Sequence, residues 1–299
     1  MHILITGGTG LIGCQLCQAL LAEGHEITVL SRNPASVPVK CGAGVHAMAA
    51  LGEWHPGKTF DAVINLAGEP IVDARWTERR KQVLWESRVT LTGELVKYVS
   101  SAGRKPAVLL SGSAVGYYGN RGDEELDEAA DAGLDFAAHL CKAWEDAALA
   151  AEQVGVRVCL LRTGLVLSNN GGLLGRMLPP FKLGLGARLG GGKQWMSWVH
   201  IDDYVAMLLR LLNDAQAEGP YNMTAPQPVT NREFTATLAK ALHRHALFAA
   251  PAPLLKLALG ERACLMVEGQ KVLPARISAA GYRFQFSNLA DALSNLLCK

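Results

Sequence analysis

The sequence predicts an α/β protein, a doubly wound parallel sheet with a smaller lobe in its C-terminal half. Three observations carry this. Short apolar runs alternate with helix-like stretches through the first half of the chain. A glycine-rich turn lies between the first apolar run and the first helical stretch. Beyond residue 165 the alternation fades, and glycine, proline and cations take its place. Such alternation gives parallel strands with helices on both faces, and ligands then bind at the carboxyl ends of the strands.

His2-Ile3-Leu4-Ile5 reads as a strand, and Leu16, Ala19 and Leu20 follow at helical spacing. Between them stands Thr6-Gly7-Gly8-Thr9-Gly10-Leu11-Ile12-Gly13. A strand, a glycine turn and a helix start make the phosphate cradle of a Rossmann dinucleotide domain. Gly8 and Gly10 are expected to let the backbone approach a pyrophosphate, and Gly13 to let the helix pack close to the strand. The helix N-terminus points free N–H groups and its positive dipole end at the phosphates. Thr6, Gly7, Gly10, Leu11, Ile12 and Gly13 are therefore candidate coenzyme-binding residues.

The later elements follow the same style. Glu26–Leu30 reads as a strand, Asp61–Ala67 as a buried one, and Ala107–Ser111 and Val156–Leu161 continue the series. Helical stretches lie near Glu78–Ser100 and Leu134–Val154. The expected division is a Rossmann domain over 1–165, with a returning segment near 198–224, and a substrate lobe over most of 166–299. Gly171–Gly192 carries Pro179, Pro180 and the cations Arg176, Lys182 and Arg188, with Lys193 directly after it. Those cations are either a recognition surface for an anionic part of a substrate or a solvated loop.

Composition narrows the classes. The 299 residues are 49% hydrophobic with 31 glycines, which suits a well-buried α/β protein. A net charge of +2 forecasts no nucleic-acid partner. The richest apolar run, Ala246–Leu259, is broken by Pro251, Pro253 and Lys256, so no membrane partner is expected. The chain enters a strand at once without a basic-then-apolar leader, which points to the cytoplasm. Seven scattered cysteines (14, 17, 41, 141, 159, 264 and 298) then read as reduced thiols. Cys14 and Cys17 have redox-motif spacing, but inside a helix they read as small buried hydrophobes. No metal site is expected, because no cysteine–histidine set has zinc spacing and His243 and His245 would not converge on one ion.

The tip of the second strand separates the two nicotinamide dinucleotides. A carboxylate there binds the ribose 2′-hydroxyl, whereas an arginine accepts a 2′-phosphate. Here the tip is Ser31-Arg32-Asn33-Pro34, with no carboxylate before Glu53. Ser31 offers a hydroxyl and Arg32 a planar donor fork, so the expected coenzyme is NADP(H).

At this point the chain resembles the extended short-chain dehydrogenase/reductase superfamily. The glycine turn matches its coenzyme motif. Asn65-Leu66-Ala67-Gly68 is similar to the fourth-strand motif whose backbone lies along the coenzyme. Ser111-Gly112-Ser113-Ala114-Val115-Gly116-Tyr117-Tyr118-Gly119 resembles the fifth-strand serine motif. Trp198-Val199-His200-Ile201-Asp202-Asp203 and Pro220-Tyr221-Asn222-Met223 resemble later signatures of the same superfamily. A closer likeness, to the uncharacterised epimerase-family group that includes bacterial YfcH, rests on Gly68-Glu69-Pro70-Ile71, Arg75-Trp76, Ala143-Trp144-Glu145 and Glu268-Gly269-Gln270-Lys271-Val272. The resemblance implies that Leu66, Ala67, Gly68 and Glu69 line the coenzyme; Glu69 itself reads as a group for a ribose hydroxyl, as one that orients Arg75, or as a turn residue before Pro70 that does neither. It also implies that Ser113 donates to a substrate carbonyl.

The pattern breaks at the reaction centre. Superfamily chemistry uses Tyr-x-x-x-Lys on one helix face, where the lysine lowers the tyrosine pKa for proton exchange. The residues four beyond the six tyrosines are Ala102, Arg121, Gly122, Leu208, Ala225 and Phe286, so the motif is absent. Lys142, with Ala138 four before it, points away from the stripe Ala137, Leu140, Trp144, Ala147 and Ala151 and reads as a surface residue. Arg88 stands where the superfamily has an asparagine, and is not expected to make the same backbone bridge. It is a candidate for coenzyme or substrate phosphate, or a surface residue pairing with Glu94. Ser113 remains the best donor, Tyr117 or Tyr118 a candidate acid, and His139 a further candidate. His200 reads as structural, and Asp202 and Asp203 as the start of a helix with Asp202 its cap.

Two functions follow. One is an NADP(H)-dependent oxidoreductase or epimerase that moves hydride to and from a small hydroxylated substrate, nucleotide-linked sugars included. The other is a non-catalytic NADPH-binding sensor or regulator, for example in cell-division control. Oligomeric state is left open.

Overall fold

The computed structural model describes residues 1–55 and 57–297; Cys298, one of the seven thiols, lies outside them. In chain order the first half runs β1 (His2–Thr6), α1 (Leu11–Ala22), β2 (Glu26–Leu30), α2 (Val37–Cys41), β3 (His46–Met48), β4 (Ala62–Asn65), α3 (Glu78–Trp85), α4 (Leu91–Ser101), β5 (Val108–Ala114), β6 (Glu125–Leu126), α5 (Phe136–Leu149) and β7 (Arg157–Thr163). The second half runs β8 (Leu165–Ser168), α6 (Gly172–Lys182), β9 (Ala187–Leu189), β10 (Trp195–Met196), β11 (Trp198–His200), α7 (Ile201–Asn213), β12 (Gly219–Met223), β13 (Val229–Thr230) and α8 (Asn231–Ala241). It ends with β14 (Phe248–Ala250), α9 (Ala252–Leu259), α10 (Cys264–Val267), β15 (Lys271–Val272), α11 (Ala275–Ala279) and α12 (Leu289–Leu297).

Seven parallel strands form the central sheet in the order β12-β7-β5-β4-β1-β2-β3. The order reverses between β1 and β4, and that crevice is where doubly wound sheets take their ligands. Both faces are covered. Leu16 and Leu20 of α1 pack with Met207, Leu208 and Leu211 of α7 on one face. Leu95 and Val99 of α4 pack with Ala148 of α5 on the other. The strands are therefore buried on two sides and read as apolar runs rather than alternating ones.

The predicted strands are present, with shifted ends. Backbone pairing carries β5 on to Ala114, opposite Thr163, so Ser113 belongs to the sheet. The helical stretch after β4 is continuous but contains a π turn over Glu86–Thr90. Gly172–Lys182 folds as a helix despite its glycines, with Pro179 and Pro180 in its last turns and Leu174 and Phe181 buried. That segment joins a separate core with Trp198, Phe234, Leu238 and Leu293.

The start of α7 corrects one expectation. Its cap is His200, whose Nδ1 accepts from the Asp202 N–H at 3.1 Å, so Asp202 is a first-turn residue. Asp203 is fully buried. It accepts from the Tyr282 hydroxyl at 2.8 Å and from the Gln285 and Phe286 N–H groups at 2.9 Å. This carboxylate fastens the C-terminal segment to α7. His200 is buried and stacks on Phe286 with ring centroids 3.9 Å apart, as a structural residue does.

Candidate coenzyme and reaction site

The glycine turn is shaped by contacts behind it. Gly7 has φ +70°, and a Cβ there would lie 2.6 Å from the Leu66 carbonyl carbon. Gly13 would strike the Gly7 carbonyl, so α1 can pack this close only with glycine. Gly8 corrects the sequence reading: its Cβ position is filled by Val29 of β2, 2.6 Å away, so it packs on the sheet. Gly10 would meet only the Gly7 carbonyl, at 3.2 Å, and is the glycine with an open side. Gly10 is also the α1 N-cap, and no side chain caps that helix end. The first-turn N–H groups of Leu11 and Ile12 thus retain their capacity for an anion.

A buried polar lattice holds the turn. Thr6 Oγ1 donates to Asn65 Oδ1 at 2.6 Å and accepts from the Ala67 N–H at 3.2 Å. Asn65 Nδ2 donates to Thr92 at 2.8 Å and Ser111 at 3.2 Å, and the Trp144 indole N–H also reaches Thr92, at 2.9 Å. Five elements (β1, β4, β5, α4 and α5) are tied beneath the Leu66–Ala67 backbone. A cleft of about 360 Å³ opens beside the turn, with Thr9, Gly10 and Leu11 on one wall and Asn170, Gly171 and Gly172 on the other.

Two predicted residues meet at the tip of β2. The Arg32 side chain is 92% exposed and its Nη1 donates to Glu69 Oε1 at 2.7 Å. Ser31 instead closes its own turn through Asn33, at 3.2 Å. Glu69 is also 3.7 Å from Arg80, a residue that sequence reasoning missed, whose Nη2 donates to the Pro70 carbonyl at 2.6 Å. Arg75 is not oriented by Glu69. It donates to the carbonyls of Leu257 and Ala258 at the end of α9, at 2.6–3.1 Å.

Arg88 corrects one expectation, that an arginine here would make no backbone bridge. It does bridge backbone, donating to the Glu69 carbonyl at 2.9 Å and the Leu84 carbonyl at 3.4 Å. Its guanidinium lies against Gly68, where a Cβ would be 2.9 Å from Cζ, and 5.4 Å from the Trp144 ring centre. The π turn gives the backbone the extra residue that rotates Arg88 inward, and burial pulls its pKa below the usual guanidinium value. Neither the turn nor the burial is visible in an exposed-looking Ser-Arg-Val sequence.

The reaction end is a closed network. Ser113 is 3% exposed and its Oγ donates to Glu145 Oε1 at 2.6 Å. Arg162 clamps the same carboxylate, Nε to Oε1 at 2.9 Å and Nη2 to Oε2 at 3.0 Å. Arg162 also donates to the Tyr118 hydroxyl at 3.0 Å, and its guanidinium lies 3.6 Å from the Tyr117 ring centre. The Tyr118 hydroxyl donates onward to Asn222 Oδ1 at 2.6 Å, and burial pushes its pKa up to about 12. The Tyr118 hydroxyl thus links Arg162 to Asn222 inside the fold. Tyr117 presents its ring face to Arg162. Glu145 and Arg162 were not foreseen, although Glu145 falls on the buried stripe four residues after Cys141.

The remaining candidates separate. Lys142 is exposed and pairs with Asp146 at 2.9 Å, and His139 is exposed on the same helix. Arg176 pairs with Asp73 of the loop after β4, Arg188 packs beside Gly192, and the Lys182 carbonyl accepts from Arg244. Among the described residues no group of three His, Cys, Asp or Glu side chains is placed to hold a metal ion. No helix among the described residues is long and apolar enough to cross a membrane.

This geometry has relatives along its whole length. An epimerase family protein of Mycobacterium bovis is 41% identical over 295 residues, covering 97% of this chain and 96% of its own. A chloroplastic SDR39U1 homolog of Arabidopsis thaliana is 39% identical, covering 99% of this chain and 87% of its own. The crystal structure of human epimerase family protein SDR39U1 with NADPH superposes with a TM-score of 0.89 at 35% identity, covering 99% of both chains. Residues 250–296 match a separate domain of unknown function. The profile of one large family matches residues 3–224, across the glycine turn, the Ser113 strand and β12, and the chain belongs to that NAD dependent epimerase/dehydratase family.

Proposed function

We propose that the chain is an NADP(H)-dependent oxidoreductase or epimerase acting on a small hydroxylated or carbonyl substrate. The single observation that carries the coenzyme reading is the uncapped N-terminus of α1, framed by glycines whose Cβ positions are filled. These residues fit a dinucleotide. Gly10, Leu11 and Ile12 would hold the diphosphate, Leu66–Glu69 and Arg88 the wall beside it, and Arg32 a 2′-phosphate. The NADPH bound to human SDR39U1, 35% identical, supports that choice of coenzyme. When bound, a nicotinamide coenzyme supplies or accepts a hydride.

The chain's own residues then do the following. Ser113 turns its hydroxyl from Glu145 to a substrate carbonyl. Until that turn Glu145 holds the Ser113 hydroxyl, and Arg162 keeps Glu145 in place throughout. With Ser113 and both Arg162 contacts as donors, the carboxylate is a positioning group rather than a free base. The lobe formed mainly by 166–299, with 198–224 returned to the sheet, would close over the substrate.

A second reading, an NADPH-binding sensor without turnover, is favoured by α5. That helix carries no tyrosine, and its N-terminal half packs Ala137 and Leu140 against Trp76 and Leu265. One experiment separates the two. NADPH and NADH are titrated by fluorescence into wild type and Arg32→Ala, and bound NADPH is then offered a panel of carbonyl compounds and sugar nucleotides. The enzyme reading expects tighter NADPH binding, about tenfold weakened by Arg32→Ala, and turnover lost in Ser113→Ala. Equal NADPH affinity in both proteins removes Arg32 from the site. Binding without turnover across the panel favours the sensor.

A further inference from the structure

We propose that the C-terminal lobe docks on an anionic lipid surface through a patch formed by α9, β14 and the 182–189 segment. The patch is apolar where a water-facing surface should not be. Leu183, Leu185, Leu247, Phe248, Leu254 and Leu257 are 55–85% exposed, and they are six of the ten large apolar side chains exposed among the described residues. The segments are contiguous. β14 pairs with β9 through Phe248–Ala187, Arg244 donates to the Lys182 carbonyl at 3.0 Å, and Gly190 approaches Ala252 at the start of α9. None of the eight residues of α9 is buried. Leu254 and Leu257 stand three apart and so share one face of it. A cluster this concentrated marks a contact surface rather than scattered exposure.

Charge selects the occupant. The stretches 153–201 and 234–260, within which the three patch segments lie, contain no aspartate or glutamate. Lys182, Arg244 and Lys256 are exposed around the leucines, and among the described residues none of them forms an ion pair. The acids that bound the second stretch are engaged elsewhere: Glu233 caps α8 and Glu261 pairs with Lys81 at 2.8 Å. Exposed leucines ringed by unpaired cations are the composition of a peripheral contact with anionic headgroups. A second copy of the chain is the poorer match, because a two-fold pairing of this face would set cations against cations. A peripheral contact needs no spanning segment, so it is compatible with the broken apolar run at 246–259.

The test is co-sedimentation of the full chain with phosphatidylcholine vesicles made with and without phosphatidylglycerol. Binding is expected only where phosphatidylglycerol is present, and it should fall with added salt. Arg244→Glu and Lys256→Glu should each weaken it at least about fivefold, the equivalent of one cation at such a surface. Leu254→Glu/Leu257→Glu should abolish it with an unchanged melting temperature, since both side chains are exposed. Equal binding to both vesicle types, no binding to either, or full retention by the double leucine variant overturns the proposal. So does a vesicle-free dimer, seen by sedimentation, that the double leucine variant splits. None of these readouts depends on coenzyme binding.

Discussion

The turn after β1 and the network around Ser113 lie at the same edge of the sheet but are built from different material. The turn is made of backbone. Its shape comes from Gly7 and Gly13 pressed against Leu66 and Gly7, and the groups proposed to hold the diphosphate are main-chain N–H groups. The network is made of side chains: Ser113, Glu145, Arg162 and Asn222 come from β5, α5, β7 and β12, and Tyr118 from the helical turn that follows β5. A backbone site is written in one short stretch of sequence. A side-chain network is assembled by the fold, and its directly bonded members are up to 104 residues apart.

The largest expected effect tests the network's stake in the fold. Glu145 and Arg162 are 5% and 4% exposed, so removing one partner strands a buried charge. Glu145→Ala should lower stability by about 3–5 kcal/mol, read as a shift in the denaturant midpoint at unchanged slope. Glu145→Leu/Arg162→Met should recover most of that loss, because neither charge then remains. If the single variant loses less than about 1 kcal/mol, the pair is not a structural centre.

The turn should respond differently, through binding before stability. Gly7→Ala forces a residue at φ +70° into the Leu66 carbonyl, and the loop must shift. A loss of about 2–3 kcal/mol is expected in coenzyme binding, roughly a hundredfold, by calorimetric titration. Native affinity in this variant would mean that the turn does not set the site.

That contrast explains what the sequence revealed. Strand–turn–helix order, the glycine spacing and Ser113 in its strand are local patterns, and all stand in the sheet as expected. Gly8 was misassigned because spacing cannot tell which glycine faces Val29 and which faces open space. Asp202 and Asp203 are adjacent acids, and only burial makes the second an anchor for Tyr282 and Phe286. Arg88 needed the π turn, which no spacing rule announces. Glu145 was within reach: it falls on the buried stripe of α5, and a carboxylate there requires a cation such as Arg162.

A smaller effect sharpens the turn's far end. Glu69 engages Arg32 at 2.7 Å, the group assigned to a 2′-phosphate, so the carboxylate and that phosphate compete for one guanidinium. Arg32 is largely exposed, so the competition is weak. Glu69→Gln should raise NADPH affinity relative to NADH by a few-fold, on the order of 0.5–1 kcal/mol. An unchanged ratio would show that Arg32 and Glu69 do not act on the same ligand atom.

The smallest effect concerns pH. Asp61, at the opposite end of the sheet, accepts from the His2 N–H at 2.6 Å and from Arg104 at 2.6 Å. The His2 hydrogen bond first, and then the Arg104 charge, hold its pKa below the ordinary aspartate value of 3.8. A depressed carboxylate binds fewer protons folded than unfolded, so its contribution is complete above the unfolded pKa. It is lost as pH falls through the folded value. Asp61→Asn keeps the acceptor for His2 and removes the charge. At neutral pH it should cost under about 1 kcal/mol, because the carboxylate is one-third exposed, and it should flatten the acid limb below about pH 4. The turn's N–H groups do not titrate, so coenzyme affinity should show no matching change with this substitution. An affinity that tracked the acid limb of Asp61 would mean that the strand's start and the turn at its end are coupled, and that the site is not set by backbone geometry alone.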